Sequence, residues 1–292
     1  DNAVDLVAKV IPMATKEQMQ KALLTAQENC FAVGLTTVDD AGLMKEEIDI
    51  IDELQKTEKL KMRVYAMVSD SAPNYAYYLK AGPYKTDKLN VCSFKFYADG
   101  ALGSRGACLL QEYSDKPGWK GFLLSDKKHF EEYAKILAHK GFQMNTHCIG
   151  DSSDRIIAQI YLTAAKKEAR WRIEHAQVVN QNDFGMFADI IPSVQPTHAT
   201  SDMYWAGERL GPERVKYAYA YRDLLKAAGM AALGTDFPVE DISPFKTFYA
   251  AVFRKDAKGF PEGGFQMENA LTRQETIMGM TRWAAYSNFE EK

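Results

Sequence analysis

Short apolar runs alternate with longer amphipathic stretches along the whole chain. Seven runs have strand length and are rich in Val, Ile, Thr, Tyr or Phe: residues 34–38, 62–68, 93–98, 142–148, 171–176, 190–195 and 230–235. Runs this short and this apolar are typical of strands that are buried on both faces. We therefore predict seven strands separated by helices.

The stretches between these runs have helical periodicity. Thr15 to Gln18 has the form of a capping box, and Thr272 to Glu275 repeats it near the end of the chain, so helices are predicted to begin at both points. The predicted helices cover residues 15–30, 44–60, 126–140, 154–167, 182–188, 213–228, 245–254 and 272–287. Two segments rich in Gly, Tyr and Trp, 99–126 and 197–212, are predicted to be active-site loops.

Regular alternation of strands and helices predicts an α/β fold with a parallel sheet and right-handed crossovers. Eight strands close a (β/α)8 TIM-like barrel. Because only seven are visible, we expect the first strand upstream of residue 1, and residues 4–11 are the remaining candidate. An open doubly wound sheet is the alternative, but no Gly-x-Gly-x-x-Gly follows the first strand. Residues 1–292 are interpreted as one incomplete barrel domain.

Composition narrows the classes of partner. With 46% hydrophobic residues and a formal net charge of -3, the chain can bury a large core and offers no basic surface for nucleic acid. No apolar run reaches membrane length, so no membrane span is expected. Four cysteines without a Cys-x-x-Cys pair are predicted to be reduced thiols.

Compartment and oligomeric state are less constrained. A cytoplasmic location is favoured, although an N-terminal targeting sequence stays open because the chain begins at Asp1 and looks cut from something longer. A homodimer is compatible with the sequence.

Candidate chemistry gathers at the ends of predicted strands. Lys95, His147, His175 and Asp236 each lie at the carboxyl end of a different strand, where barrel enzymes place their catalytic groups. One such residue alone is more often a cap or a packing residue, but four together favour a shared site. A buried Lys95 ammonium would also need neutralisation.

Five ordered blocks carry a family resemblance: FKFYADGALGSR (94–105), THCIGD (146–151), RIEHAQ (172–177), SVQPTH (193–198) and GTDFPV (234–239). With them the chain resembles the amidohydrolase superfamily, specifically amidohydrolase family 3 and its YtcJ-like branch, which includes N-substituted formamide deformylases. The resemblance runs from about Asp1 to Asn288.

The resemblance implies a metal-dependent hydrolase of carbon–nitrogen bonds in small, non-peptide amides or formamides, with one or two divalent ions, zinc above all. Lys95 would be a carboxylated lysine that binds metal through its carbamate, since an ammonium offers no lone pair. His147 and His175 would bind through neutral imidazoles. Asp236 would be both a metal ligand and the general base for a metal-activated water.

Four further residues are candidates for substrate contact: Tyr97, Asp99, Arg105 and His198. Arg105 would pair with a substrate carboxylate, with a structural loop contact as the equal alternative. His198 would meet substrate or support a ligand, with an ordinary polar loop residue as its alternative.

The sequence departs from the family pattern in one respect. The family places a His-x-His pair after its first barrel strand, and the five histidines here form no such pair. We therefore expect a truncated chain with weak metal binding and no activity of its own. Two alternatives stay open: a catalytically degenerate barrel that serves as a binding or structural module, and a hydrolase using paired carboxylates such as Asp99 and Glu174.

Overall fold

A computed structural model describes Val7 and residues 9–292. The candidate strand at residues 4–11 lies partly outside the described residues. The chain divides into two compact units, residues 1–95 and 96–292, and each is described by itself. The expectation of a single domain over residues 1–292 stays a prediction.

The first unit alternates helices with strands. Its helices are α1 (Lys16–Ala32), α2 (Lys45–Lys56) and α3 (Ala72–Ala81), and its strands are β1 (Thr37–Leu43), β2 (Arg63–Ser69), β3 (Tyr84–Lys85) and β4 (Leu89–Tyr97), of which residues 89–95 belong to this unit. β1, β2 and β4 pair in parallel in that order, and the short β3 is antiparallel to β4.

Local sequence signals explain where these elements begin. The predicted capping box at Thr15 is present: its hydroxyl accepts a hydrogen bond from the Gln18 amide at 3.2 Å, and the Gln18 side chain accepts one from the Thr15 amide at 2.8 Å. β2 is buried from Val64 to Val68, as its unbroken apolar run predicts. α3 was not among the predicted helices, although a proline stands in its first turn, a position that proline favours.

The second unit continues the alternation. Its strands are β5 (Gln143–Cys148), β6 (Arg172–His175), β7 (Ile191–Val194) and β8 (Ala232–Leu233), and its helices are α4 (Lys127–Lys140), α5 (Asp151–Ala164), α6 (Pro196–Asp202), α7 (Ala206–Arg214), α8 (Tyr221–Ala228), α9 (Pro244–Phe253), α10 (Arg273–Met280) and α11 (Arg282–Ser287). The four strands pair in parallel in sequence order. Their carboxyl ends therefore share one edge.

Apolar helix faces cover this sheet. Phe130 and Leu137 of α4 are fully buried, as the predicted helical spacing requires. From α5, the Tyr161 ring packs edge-on against Trp171 at 4.8 Å between centroids, and its hydroxyl donates to the Met144 carbonyl at 2.9 Å. The Tyr161 hydroxyl is thus satisfied by a strand carbonyl inside an apolar part of the interior.

Two predictions for this unit need correction. The segment 197–212, expected to be a loop, forms most of α6 and α7, because Pro196 begins a helix directly after β7 and a kink at Gly211 ends the regular part of the second. The predicted strand 230–235 shortens to two residues. The other expected loop, 99–126, contains neither a helix nor a named strand in the described chain.

None of the described helices is both long enough and apolar enough to cross a bilayer.

Candidate metal centre

The carboxyl edge of the second unit carries four polar side chains from four successive strand ends. His147 lies in β5, and His175 is the last residue of β6. His198 lies in the first turn of α6, immediately after β7, and Asp236 follows β8. Because parallel strands bring their carboxyl ends to one edge, residues distant in sequence become neighbours here.

The distances show which of these residues meet. The His147 and His175 rings are 4.5 Å apart between centroids, and those of His175 and His198 are 5.8 Å apart and nearly parallel. One ligand atom each from His175, His198 and Asp236 lies within 4.8 Å of the other two. Zinc at about 2.1 Å from each ligand holds two ligand atoms no further than about 4.2 Å apart. A small approach would therefore complete a three-ligand site.

A hydrogen bond fixes the orientation of the His175 ring. Its Nδ1 lies 2.7 Å from Oε1 of Gln195. The Gln195 amide nitrogen donates to the Ser193 carbonyl at 3.4 Å, so the oxygen faces the imidazole and Nδ1–H donates to it. Nε2 then carries the lone pair of the neutral ring, as in typical metal-binding histidines.

His198 has a buried ring nitrogen that lacks a hydrogen-bond partner. The residue is 9% exposed, and its Nε2 is unsatisfied among the described residues. The nearest acidic atom is Oδ2 of Asp236 at 3.5 Å. Burial lowers the pKa of His198 to about 4, so the imidazole is neutral at physiological pH. An unsatisfied buried nitrogen costs about 1–3 kcal/mol, and a metal ion would offset that cost, so this residue fits such a group.

Backbone strain accompanies the same residues. His175 has φ 75° and Asp236 has φ 57°, both in the left-handed region that costs an L-residue about 1–2 kcal/mol. Strained backbone is concentrated at functional sites, where surrounding structure holds it in place. Two of the residues that meet at this edge have it.

The carboxylate of Asp99 is buried and hydrogen-bonded within the protein. It is 1% exposed, and its carboxylate accepts hydrogen bonds from the amides of Cys108, Ile149 and Gly150 and from the Ser153 hydroxyl. Burial raises its pKa to about 6, against the lowering effect of these donors. The carboxylate ties the 99–126 loop to the end of β5. Its contact with substrate stays a prediction, and the hydrogen bonds favour a structural role.

Two main-chain segments also approach each other closely where the 99–126 loop meets the start of α5. A Cβ on Gly150 would lie 2.1 Å from the carbonyl oxygen of Cys108. Only glycine allows the loop backbone to pass this close to the start of α5. Asp99 and Gly150 together therefore anchor the loop next to His147, whose Nε2 lies 3.7 Å from Asp99.

The other sequence candidates have different surroundings. Arg105 donates from Nε and Nη2 to both oxygens of Asp115, at 3.0 and 2.8 Å, and Arg209 contacts the same carboxylate. This favours the loop-contact alternative for Arg105, and its binding of substrate stays a prediction. Tyr97 is 46% exposed, with its ring 5.6 Å from that of His147.

Lys95 is the last residue of the first unit. It is 3% exposed, pairs in register with Ser69 of β2, and its carbonyl accepts from the Asp70 amide at 3.1 Å. Its carboxylation and its role as a ligand stay predictions.

The third sequence hypothesis loses support, since Glu174 forms a buried ion pair with Arg172 at 2.7 Å and Asp99 is held by the loop.

Sequence reasoning gave His198 a weaker role than its position suggests. It was a candidate for substrate contact, whereas the structure groups it with His175 and Asp236. The missed signal was Pro196: a proline two residues before the histidine begins a helix at once, and so holds His198 at the strand end.

Comparisons with known proteins identify the family of this chain. The model of the amidohydrolase family matches residues 1–292. The chain belongs to the amidohydrolase family. It is 27% identical over its whole length to the putative amidohydrolase YtcJ of Bacillus subtilis (strain 168), covering 56% of that protein. It is 29% identical over 87% of its length to the protein LONG AFTER FAR-RED 3 of Arabidopsis thaliana, covering 47% of it.

A solved structure extends the similarity to the fold. An uncharacterized metal-dependent hydrolase from Pyrococcus horikoshii OT3 matches with a TM-score of 0.85 and 28% identity, over 95% of this chain and 56% of that one. This confirms the predicted fold class, the α/β fold of the metallo-dependent hydrolase barrels. The chain spans about half the length of the curated relatives it matches.

Proposed function

We propose that this protein is a metal-dependent hydrolase that cleaves carbon–nitrogen bonds in small linear amides, including N-substituted formamides. The proposal is carried by one observation: ligand atoms of His175, His198 and Asp236 lie within 4.8 Å of one another at the carboxyl edge of a parallel sheet, in a chain of the amidohydrolase family. Imidazole and carboxylate donors suit zinc best among the common divalent ions, with iron and manganese as alternatives.

From the family resemblance we propose a second set of metal ligands, which consists of Lys95, His147, His175 and Asp236. A divalent ion bound here would polarise the substrate carbonyl and lower the pKa of an adjoining water to about 7. His147 lies against His175 and adds a second imidazole. Lys95, after reaction of its amine with carbon dioxide and loss of a proton, would offer two anionic oxygens in place of a buried positive charge.

Asp236 is the proposed general base. Its side chain is 36% exposed, so its carboxylate is accessible to water as well as to His198. It would take a proton from the attacking water and transfer it to the departing nitrogen, so that amide and water yield a carboxylic acid and an amine. Tyr97 borders the same edge beside His147 and would contact substrate.

The test is a screen of N-substituted formamides and linear amides on the intact protein with added zinc. We expect hydrolysis, and we expect Asp236→Asn to lower kcat by about 100-fold or more, the usual loss for a general base. Asp241→Asn is the matched control, since Asp241 lies nearby on the chain but pairs with Lys246.

Two results would overturn the proposal. Zinc-loaded protein that hydrolyses no amide would favour the degenerate binding module instead. Equal kcat for Asp236→Asn and Asp241→Asn would remove Asp236 from the reaction.

A further inference from the structure

We infer that His198 is a protein ligand of a single divalent cation, which it binds together with His175 and Asp236. The family resemblance assigns His198 no such role. The inference relies on the proposed function only in taking a divalent cation as the bound group. All three residues belong to the second unit and come from the ends of β6, β7 and β8, three consecutive strands.

The first support is proximity. Among the described residues, His175, His198 and Asp236 are the group whose ligand atoms approach within 4.8 Å. Two neutral imidazoles and one carboxylate are a common three-ligand set for zinc, with a fourth position left for water or substrate. His147 is not a member of this group, although its ring lies against that of His175.

The second support is the environment of the His198 side chain. Its Nε2 is buried and has no hydrogen-bond partner among the described residues, while the nearest carboxylate oxygen, from Asp236, is 3.5 Å away. Buried polar atoms in native proteins rarely lack a partner, and a bound ion is one partner that would satisfy this nitrogen. A cation between His198 and Asp236 would give this nitrogen a partner.

The third support is preorganisation. Gln195 precedes α6 by one residue, and its side chain accepts from Nδ1 of His175. Its carbonyl accepts from the His198 amide at 3.0 Å and from the Tyr221 hydroxyl at 2.9 Å. One residue therefore positions both histidines, so only a small approach of the ligand atoms is needed when a cation binds.

The number of ions follows from the sequence. The chain contains five histidines and no His-x-His pair, so its residues do not supply the paired imidazoles that hold a second ion in the family pattern. We therefore expect one bound cation per chain, and not two.

The test uses the five histidines as reporters. In long-range 1H–15N spectra of the 292-residue protein, one equivalent of zinc is expected to shift the Nε2 signals of His175 and His198. The signals of His129 and His139, both on α4, should stay in place. Zinc competition against a chelating dye should show about 100-fold weaker binding for His198→Ala than for wild type, and no change for His139→Ala, a histidine that is exposed.

His198→Asn provides a second variant of similar size in case the alanine variant does not fold. Shifts of His147 and His175 without His198, or no imidazole shift at all, would overturn the inference. Equal zinc affinity for His198→Asn and wild type would do so as well. Amide hydrolysis is measured separately, so hydrolysis with unaffected His198 variants removes this inference and leaves the proposed function standing. Zinc binding through His198 without amide hydrolysis removes the proposed function and leaves this inference standing.

Discussion

At the scale of single residues, the site depends on side chains that touch the proposed ligands. Gln195 is the clearest example, because its Oε1 accepts from His175 while its carbonyl accepts from the helix that carries His198. A supporting residue of this kind fixes the tautomer and the ring orientation of a metal-binding histidine.

We predict that Gln195→Ala weakens zinc binding about 10–100-fold, the usual loss when such a support is removed. The main-chain bonds of residue 195 remain, so the fold should persist. Zinc competition and circular dichroism together check this, with the exposed Gln159→Ala as the matched control. Unchanged affinity in a folded Gln195→Ala protein would show that His175 needs no such support.

Asp154 is a buried carboxyl group in the second unit. It is 2% exposed, and neither carboxylate oxygen has a hydrogen-bond partner among the described residues. Burial, followed by the charges of Asp99, Asp151 and Asp183, raises its pKa well above the usual range. A raised pKa means that the folded state binds the proton more tightly than the unfolded state does. Its stabilising effect is complete below about pH 4 and declines as the pH rises towards the folded pKa.

Asp154→Asn should therefore stabilise the protein most at high pH. We expect the free energy of unfolding of Asp154→Asn to exceed that of wild type at pH 8 by more than it does at pH 5, because the amide carries no charge to desolvate. Urea unfolding at the two pH values measures this. Asp87→Asn, at an exposed position, should show no such difference. A constant difference between pH 5 and pH 8 would contradict the assignment.

At the scale of elements, periodicity predicted most strands and helices well, and their ends less well. Both predicted capping boxes are present, at Thr15 and Thr272. They could be predicted because a capping box depends on only four consecutive residues. α6 and α7 were missed because Gly, Trp and Tyr within 197–212 suggested a loop, while contacts with residues distant in the sequence stabilise α7. Arg214, for example, donates to the carbonyls of Gln111 and Glu112.

The junction between the 99–126 loop and β5 yields a stability prediction. Gly150→Ala places a Cβ 2.1 Å from the Cys108 carbonyl oxygen, so the backbone must move. Overpacking of this kind costs about 1–3 kcal/mol. Gly185→Ala is the matched control, since a Cβ there meets no atom within 4 Å. Urea unfolding should show a loss for Gly150→Ala alone, and equal stability of the two variants would refute the close approach.

At the scale of the whole molecule, the fold class and the family were predictable, but the composition of the site was only partly so. Strand order alone predicts that residues after β5, β6, β7 and β8 share an edge. The prominence of His198 was only partly predictable: Pro196 indicated the immediate start of α6, but nothing in the sequence indicated the positive φ values at His175 and Asp236. Those features arise from tertiary contacts rather than from periodicity.

The contacts of Asp99 and Arg105 also could not be predicted from the sequence. Asp99 resembles a catalytic acid in the sequence, yet four hydrogen bonds engage its carboxylate in holding a loop. Arg105 resembles an anion-binding residue, yet Asp115 already pairs with it. The partners in these contacts are separated by nine or more positions, so the contacts become visible only in three dimensions.

Anomalous X-ray diffraction at the zinc edge, from crystals of the zinc-loaded protein, tests the central claim most directly. We expect one strong peak within bonding distance, about 2.0–2.2 Å, of His175, His198 and Asp236. A peak that lacks even one of these three residues as a ligand would contradict this expectation, and so would the absence of a peak at full zinc saturation.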